Sequence, residues 1–249
     1  NFDEILPRLK AYTTGKVVEK VTCDHVYEVK GSQSLTENGA ISGSAKFDAT
    51  AFAQGVREKK PSLVKELNGK GKKVALLDLG TKANIAYSLK SRGCDVTVYP
   101  AITTAEEVLN DDPDLIFLSN GPGDPDDLDE IVENVKKMIG KKPIVGICLG
   151  HQILARVFGG KTGKLKFGHR GGNHPVKDFE ENKVFITAQN HGYYVCEVPE
   201  CMEVTQINLN DNTVEGMRHK ELPIYSVQYH PEACPGPKDS EYVFDKFLE

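Results

Sequence analysis

Beginning at Lys73, short β-branched runs alternate with helical patterns along this 249-residue chain. The segment Lys73 to Asp78 (KVALLD) predicts a buried strand, and Asn84 to Arg92 predicts a helix that Gly93 ends. Strands that alternate with helices are joined by crossover connections, which produce a parallel sheet wrapped by helices. The sequence therefore predicts an α/β fold with a mixed, mostly parallel sheet flanked by helices.

The alternation continues through the middle of the chain. Three further strands are predicted at Asp95 to Tyr99, Asp114 to Ser119 and Pro143 to Ile147. A helix near Thr104 to Leu109 has Thr103 and Glu106 at capping-box spacing, and another helix is expected to run to about Ile139.

After the helix that follows Cys148, the pattern changes to strands without intervening helices. The expected strands are Lys183 to Ala188, Glu203 to Asn208, Thr213 to Arg218 and Ile224 to Gln228. Asn208 to Asn212 has the composition of a hairpin turn between two of them. This part of the sheet is therefore expected to differ from the strand-helix alternation before it.

The first part of the chain does not share this pattern. It contains helical pieces near Asp3 to Ala11 and Ser62 to Leu67, without a complete alternation between them. The Gly/Lys-rich segment Asn68 to Lys72 is typical of a linker. We therefore place a domain boundary there, with a smaller amino-terminal unit at residues 1–68 and the α/β domain at residues 69–249.

Composition narrows the classes of function. The formal net charge is −5, and charges of both signs are interspersed, so no basic stripe indicates a nucleic-acid partner. No apolar run approaches the roughly 18 residues of a membrane span, and no signal peptide is evident. Six cysteines at irregular spacings indicate reduced thiols. A cytoplasmic location is the resulting expectation.

The segment Val145 to Gln152 (VGICLGHQ) predicts a nucleophile elbow, in which an apolar strand runs directly into Cys148 and then into a helix. Gly146 and Gly150 permit the sharp turn that exposes the nucleophile. A helix N-terminus also favours the thiolate form of the sulfur. The alternative is that Cys148 is a small apolar residue that ends a core strand.

A thiolate nucleophile needs a base and a group that orients the base, and His230-Pro-Glu232 contains both types. In an extended segment, residues two positions apart point the same way, and Pro231 restricts the backbone between them. We expect Glu232 to hold His230 while the other ring nitrogen faces the sulfur. A lone histidine is more often structural or exposed, so this prediction depends on the elbow being present as well.

The glycine-rich turn Ser119 to Pro125 (SNGPGDP) follows the predicted third strand of the α/β domain. Glycines there let backbone amides approach a ligand closely. The N–H groups of Gly123 and Leu149 are the expected oxyanion hole for a tetrahedral intermediate. The alternative interpretation is an ordinary Gly/Pro turn.

Two other motifs do not support a site. Gly159 to Thr162 (GGKT) is similar to the end of a phosphate-binding loop, but the first glycine of that motif would fall at Ala155, inside a helix. His169 and His174 have no acidic or cysteine neighbour at a usual ligand spacing. No metal site and no cofactor are therefore expected in this chain.

The elbow, the Gly-Pro-Gly turn and the distant His-Pro-Glu segment together resemble the class I (triad) glutamine amidotransferases. The resemblance implies that Cys148 attacks the carboxamide of glutamine, that ammonia leaves, and that water releases glutamate from a thioester. It implies catalytic roles for Cys148, His230 and Glu232. The resemblance also implies that the glutamine contacts are Gly121, Gly123, Leu149, Gln152, Asn190, Gly192 and Tyr193.

Within that family, the chain is similar to the small subunits of carbamoyl-phosphate synthetases. Three segments carry this resemblance: Lys166 to Pro175 (KFGHRGGNHP), Thr187 to Gly192 (TAQNHG) and His230 to Pro237 (HPEACPGP). Tyr193 stands where phenylalanine is common, and Cys234 where serine is common. The resemblance implies that ammonia passes to a large ATP- and Mg-dependent subunit for carbamoyl phosphate synthesis, which serves arginine and pyrimidine biosynthesis.

The resemblance also implies that the family's small subunit has a further amino-terminal stretch before residue 1 of this chain, which contributes a serine to the glutamine site. Three other interpretations stay open. The chain could be another amidotransferase subunit of the same class, a non-catalytic module of the same fold, or a cysteine hydrolase that acts on a different amide. The filled triad and turn positions argue against the second, and the Gly168 to Pro175 segment against the third.

Overall fold

A computed structural model describes residues 17–29 and 69–249 of the chain. The predicted helical pieces at Asp3 to Ala11 and Ser62 to Leu67 lie outside the described residues, and the domain boundary near residue 68 stays a prediction. Within the described part, no helix is both long and apolar enough to span a membrane.

The strands of the described residues are β1 (Tyr27–Val29), β2 (Lys73–Asp78), β3 (Asp95–Pro100), β4 (Leu115–Leu118), β5 (Ile144–Ile147), β6 (Lys161–Asp178), β7 (Lys183–Glu197), β8 (Met202–Asn208), β9 (Val214–His219) and β10 (Ile224–Val227). The α-helices are α1 (Val18–Val21), α2 (Ala83–Lys90), α3 (Ala105–Asn110), α4 (Asp129–Lys136), α5 (Leu149–Val157) and α6 (Tyr242–Phe247). A 3₁₀ turn occupies Pro125–Asp127.

These strands form a single sheet in the order β1-β3-β2-β4-β5-β10-β9-β8-β6-β7. The contiguous strands β3, β2, β4, β5 and β10 pair in parallel. The pairings from β10 through β9, β8 and β6 to β7 are antiparallel, as is the pairing of β1 with β3. The mixed sheet flanked by helices is confirmed, and its parallel half ends at the strand pair that carries the elbow and the His-Pro-Glu segment.

The parallel half is buried on both faces, which explains the continuous apolar runs in its strands. Alternate residues of β2 enter two separate cores: Ala75 and Leu77 pack on the side of α4 and α5, and Val74 and Leu76 on the side of α2 and α6. Side chains alternate in direction along a strand, so a run such as KVALLD has to be apolar at nearly every position. Helices therefore cover both faces of this half of the sheet.

The structure differs from the sequence-based expectation at the start of α3. The side chain of Thr104 accepts a hydrogen bond from Glu107 N–H, and Glu107 Oε2 accepts from Thr104 N–H at 2.9 Å. The predicted capping box at Thr103 and Glu106 is therefore wrong by one residue. Both pairs have the required spacing, and the backbone at Thr104, which is extended rather than helical, decides between them.

The largest omission is β6, which the sequence analysis did not predict. This strand of 18 residues is rich in glycine, lysine and histidine and has no regular apolar alternation. It pairs with β7 along an irregular ladder with three register shifts. β7 is also longer than the predicted strand at Lys183 to Ala188, since it continues to Glu197. Pairing between the two strands, which single-strand patterns do not reveal, defines this hairpin.

Candidate active site

Cys148 lies between β5 and α5 with φ of 53° and ψ of −100°, a conformation that L-residues rarely adopt. Its N–H donates to Val227 O at 2.9 Å, which anchors the turn to β10. Gly150, in the first turn of α5, packs so closely on Leu118 that a Cβ there would collide with the Leu118 carbonyl. The predicted elbow is confirmed, and its strained backbone places the sulfur at the N-terminus of α5.

His230 and Glu232 follow β10, the parallel neighbour of β5. Ile147 and Val227 are paired in register, so the residues that follow them emerge at the same edge of the sheet. Nδ1 of His230 donates to Oε1 of Glu232 at 2.7 Å, and both side chains are buried. The backbone N–H of His230 donates to Ala188 O of β7 at 2.9 Å. The structure therefore brings Cys148, His230 and Glu232 together, as their predicted roles require.

The electrostatics of this group favour a charged histidine. Burial alone lowers the pKa of His230, but the Glu232 carboxylate and the adjacent Cys148 sulfur raise it to about 10. Burial alone raises the pKa of Glu232, and the neighbouring His230 and Lys82 hold it below its usual value. An imidazolium between a carboxylate and a sulfur favours the nucleophilic thiolate.

Two further residues contact Glu232, and the sequence analysis identified neither. Lys82 Nζ lies 3.4 Å from Glu232 Oε1, and the side-chain amide of Asn84 donates to the backbone carbonyl of Glu232. Both residues lie at the start of α2, about 150 positions before Glu232 in the sequence. No local motif links them to the His-Pro-Glu segment, because only the tertiary fold brings the start of α2 close to Glu232.

The glycine-rich turn lies beside the first turn of α5. Gly121 packs against the Leu79 carbonyl, and a Cβ on it would also lie 2.8 Å from Leu149 Cδ2. Gly123 has φ of +108°, which strongly favours glycine. In α5, Gly150 N–H already donates to Ser119 O at 3.1 Å, so this amide is not free to bind an oxyanion. Gly123 and Leu149 stay the predicted oxyanion hole.

Besides Leu149, four predicted glutamine contacts lie on α5 and β7. The side-chain amide of Gln152 donates to Tyr193 O at 2.8 Å and to Gln228 Oε1 at 3.0 Å, which ties the helix to the strand. Asn190 is exposed, and Gly192 is half-buried in the same strand. Burial raises the pKa of the Tyr193 hydroxyl to about 12, with a contribution from its hydrogen bond to Asp124. Their contact with glutamine stays a prediction.

His169, which has no acidic neighbour at a usual ligand spacing in the sequence, has two acidic neighbours in the structure. His169 Nε2 lies 2.8 Å from Asp211 Oδ2, and its Nδ1 lies 3.7 Å from Glu215 Oε1. A nitrogen or oxygen of each of His169, His191 and Glu215 lies within 4.8 Å of the other two. The acidic neighbours of His169 come from the β8–β9 turn and from β9, roughly 40 positions or more along the chain, so sequence spacing could not show them.

Comparison with known proteins gives a consistent assignment. The family model for the class I glutamine amidotransferases matches residues 75–249. A candidate GMP synthase component from Thermoplasma acidophilum superposes with a TM-score of 0.64 at 25% identity, covering 72% of this chain and 92% of that chain. A glutamine amidotransferase of Thermotoga maritima has the same fold, with a TM-score of 0.53 at 18% identity, covering 65% and 76%.

Curated relatives are more similar in sequence. A carbamoyl phosphate synthase small chain of Clostridium perfringens is 66% identical over 184 residues, which is 74% of this chain and 53% of that relative. A small chain of Methanocaldococcus jannaschii is 53% identical over 236 residues, covering 94% and 64%. A pyrimidine-specific small chain of Bacillus subtilis is 54% identical over 182 residues, covering 73% and 50%.

The chain therefore spans about half to two thirds of the length of these relatives. The family model, in contrast, matches well over half of this chain, and the matched residues include the elbow, the glycine-rich turn and the His-Pro-Glu segment. On this evidence, the chain belongs to the class I glutamine amidotransferase family.

Proposed function

We propose that this chain hydrolyses glutamine to glutamate and ammonia as the glutaminase part of a carbamoyl phosphate synthase. The observation that carries the proposal is the buried hydrogen bond of 2.7 Å between His230 and Glu232, beside Cys148 at the elbow. A nucleophile, a base and a carboxylate that orients the base are the requirements of a cysteine triad. The names of these curated relatives support the choice of enzyme.

In the first half of the reaction, the Cys148 sulfur attacks the carboxamide carbon of glutamine. The carbonyl π electrons move to oxygen, and the resulting oxyanion would accept hydrogen bonds from Gly123 N–H and Leu149 N–H. Such donors contribute roughly 3–4 kcal/mol each in other enzymes. His230, charged beside Glu232, then gives its proton to the departing nitrogen. The C–N bond breaks, ammonia leaves, and a glutamyl thioester remains on Cys148.

In the second half, a water molecule attacks the thioester carbon. His230, now neutral, accepts the proton from water, and the C–S bond breaks to release glutamate and the Cys148 thiolate. Glu232 keeps the His230 ring in one tautomer through both steps, since its carboxylate accepts from Nδ1–H and leaves Nε2 for the transfers. The two steps together consume one water per glutamine.

The ammonia would pass to a large, ATP- and Mg-dependent chain that makes carbamoyl phosphate. The relatives' designation as small chains, and as pyrimidine-specific in one case, supports a large-chain partner and a role in arginine or pyrimidine synthesis. Neutral ammonia is protonated in bulk water, so an enclosed path between the chains would protect it. A cytoplasmic location accords with such a biosynthetic role.

Glutamate release from glutamine, measured with the purified chain alone and with a carbamoyl phosphate synthase large chain, ATP and bicarbonate, tests the proposal. We expect slow hydrolysis alone and acceleration when the large chain turns over, because docking would order the turn at Gly121 to Gly123. The Cys148→Ser variant is the matched control and should release no glutamate. Stimulation by the synthetase domain of GMP synthase instead would identify a different amidotransferase.

A further inference from the structure

Three buried side chains from three strands converge beside the candidate glutamine site. His169 comes from β6, His191 from β7 and Glu215 from β9, and one nitrogen or oxygen of each lies within 4.8 Å of the others. Glu215 is fully buried, and the two histidines are less than a tenth exposed. Imidazole nitrogens with a carboxylate oxygen are a donor set that zinc and similar divalent transition metals bind.

Each of the two histidines has one ring nitrogen close to an acceptor outside the cluster, so its other ring nitrogen faces the other two side chains. His169 Nε2 lies 2.8 Å from Asp211 Oδ2, and His191 Nδ1 lies 2.6 Å from Tyr193 O. A carboxylate and a carbonyl can only accept, so both nitrogens carry the proton when the rings are neutral. The lone pairs then lie on His169 Nδ1 and His191 Nε2. Metal-binding histidines typically have this arrangement, with the second nitrogen donating to a carboxylate or carbonyl.

Independent evidence comes from the inward-facing atoms themselves. Among the described residues, His169 Nδ1 and Glu215 Oε2 are buried without a hydrogen-bond partner. His191 Nε2 lies 3.0 Å from Gln189 Oε1, so two acceptors face each other. Unpaired buried polar atoms cost free energy. A cation bound between these atoms would give each of them a partner. For His191 alone, rotation of the Gln189 amide would also provide a hydrogen-bond donor.

We propose that His169, His191 and Glu215 bind a divalent transition metal of the zinc class, with Asp211 and the Tyr193 carbonyl orienting the two rings. The metal's fourth position is left for water or for His174, whose ring centroid lies 5.2 Å from that of His169. Metal–ligand bonds of roughly 2.0–2.2 Å require the three side chains to move closer together than they are in the structure.

The role of such a metal would be structural. It would cross-link β6, β7 and β9, and His191 lies between Asn190 and Gly192 in the predicted glutamine-binding segment. The thioester chemistry does not use it. Its expected effects are therefore a more stable antiparallel half of the sheet and a better-defined β7.

Titration of the metal-free chain with Co²⁺, followed by displacement with Zn²⁺, tests the site. The reactive thiols are first alkylated, because cysteine is a competing ligand. We expect one equivalent of Co²⁺ with a visible d–d absorption band and no thiolate charge-transfer band. Zn²⁺ at a hundredfold excess over its Kd should raise Tm by roughly 5–10 °C.

Two variants and a control make the assignment specific. Glu215→Gln preserves the size of the side chain, and we expect it to weaken metal binding by roughly 100-fold. Asp211→Asn, on a partly exposed turn, should weaken it by roughly 10-fold or more through His169. Glu203→Gln, on the exposed surface of β8, should bind as the unmodified chain does. Equal Co²⁺ affinity in all these proteins, or binding of less than one equivalent, would overturn the proposal. A protonated His169 would then be the partner of Glu215.

Discussion

Gly146 and Gly150 touch each other across the elbow: a Cβ on Gly146 would lie 2.7 Å from the carbonyl carbon of Gly150. One glycine lies near the end of β5 and the other in the first turn of α5, so the backbones of strand and helix meet without an intervening side chain. This contact explains why glycine occurs two positions before and two positions after the nucleophile.

Gly146→Ala should therefore open the elbow. The added methyl group meets backbone atoms, which cannot rotate away, and we expect a loss of roughly 1–3 kcal/mol in the free energy of unfolding. Displacement of Cys148 should also reduce glutamine turnover. Urea denaturation and a glutaminase assay measure the two effects. Gly172→Ala is the control, since its nearest neighbour, Pro237 Cδ, would lie at 3.3 Å in an exposed segment.

A glutamine-like diazoketone should label Cys148 and no other cysteine. Burial raises the pKa of Cys23 to about 12 and that of Cys94 to about 11, so these thiols stay protonated and unreactive. Cys196 and Cys234 are exposed. Iodoacetamide should modify these two, whereas a reagent that must first occupy the glutamine site should not. Peptide mapping by mass spectrometry would contradict the assignment if the diazoketone adduct lay on any of the other five cysteines: Cys23, Cys94, Cys196, Cys201 or Cys234.

His230→Asn should reduce glutamine turnover by roughly a thousandfold or more, because both half-reactions transfer a proton through His230. Glu232→Gln should cost less, since the base remains and only its charge and orientation change. Loss of the carboxylate also removes the main contribution that raises the pKa of His230, so the pH–rate profile of this variant should shift toward lower pH. The exposed His25→Asn is the control, and near-normal turnover of His230→Asn would make His230 structural.

Acid should destabilise the chain through His151, whose Nδ1 lies 2.9 Å from Ser226 Oγ in the core. Burial lowers the pKa of His151 to about 3, whereas the unfolded chain takes up this proton near pH 6.5. The unfolded state therefore binds more protons between these values, and stability falls as pH falls through this window, by up to about 1.4 kcal/mol per pH unit.

His151→Asn preserves a polar atom opposite Ser226 and removes the titration. Its free energy of unfolding should depend less on pH between about 6.5 and 3 than that of the unmodified chain. Denaturation series at several pH values measure the slopes. The surface variant His25→Asn should keep the original slope. Parallel slopes in all three proteins would show that His151 is not the acid-sensitive group.

Thr104→Ala should destabilise the fold by about 1 kcal/mol, because it removes the cap of α3. Thr103→Ala should have little effect, since the Thr103 side chain is not the cap. Thermal unfolding of the two variants side by side distinguishes the observed capping box from the one that the sequence predicted. A larger loss for Thr103→Ala would reverse the assignment.

These results show which features can be predicted from sequence. The elbow and His230-Pro-Glu232 were predictable because each is a local motif with a defined backbone requirement. Strands β2 to β5 were predictable because burial on both faces demands continuous apolar runs. Lys82 and Glu215 reach their partners only through tertiary packing, and β6 is a strand only because β7 pairs with it. Such features have no signature within a single short segment.

The parallel pair β5 and β10 separates the position of the reactive groups from the shape of the predicted recognition surface. The chain leaves this pair at Ile147, builds α5 and the whole β6–β9 lobe, and returns at Ile224. The positions of the sulfur and the imidazole therefore depend on the pairing of β5 with β10. Most of the predicted recognition surface lies on β7, which belongs to the β6–β9 lobe. Insertions or deletions in that lobe that preserve the hydrogen bond from His230 N–H to Ala188 O of β7 would remodel specificity and docking while leaving the reactive distance untouched.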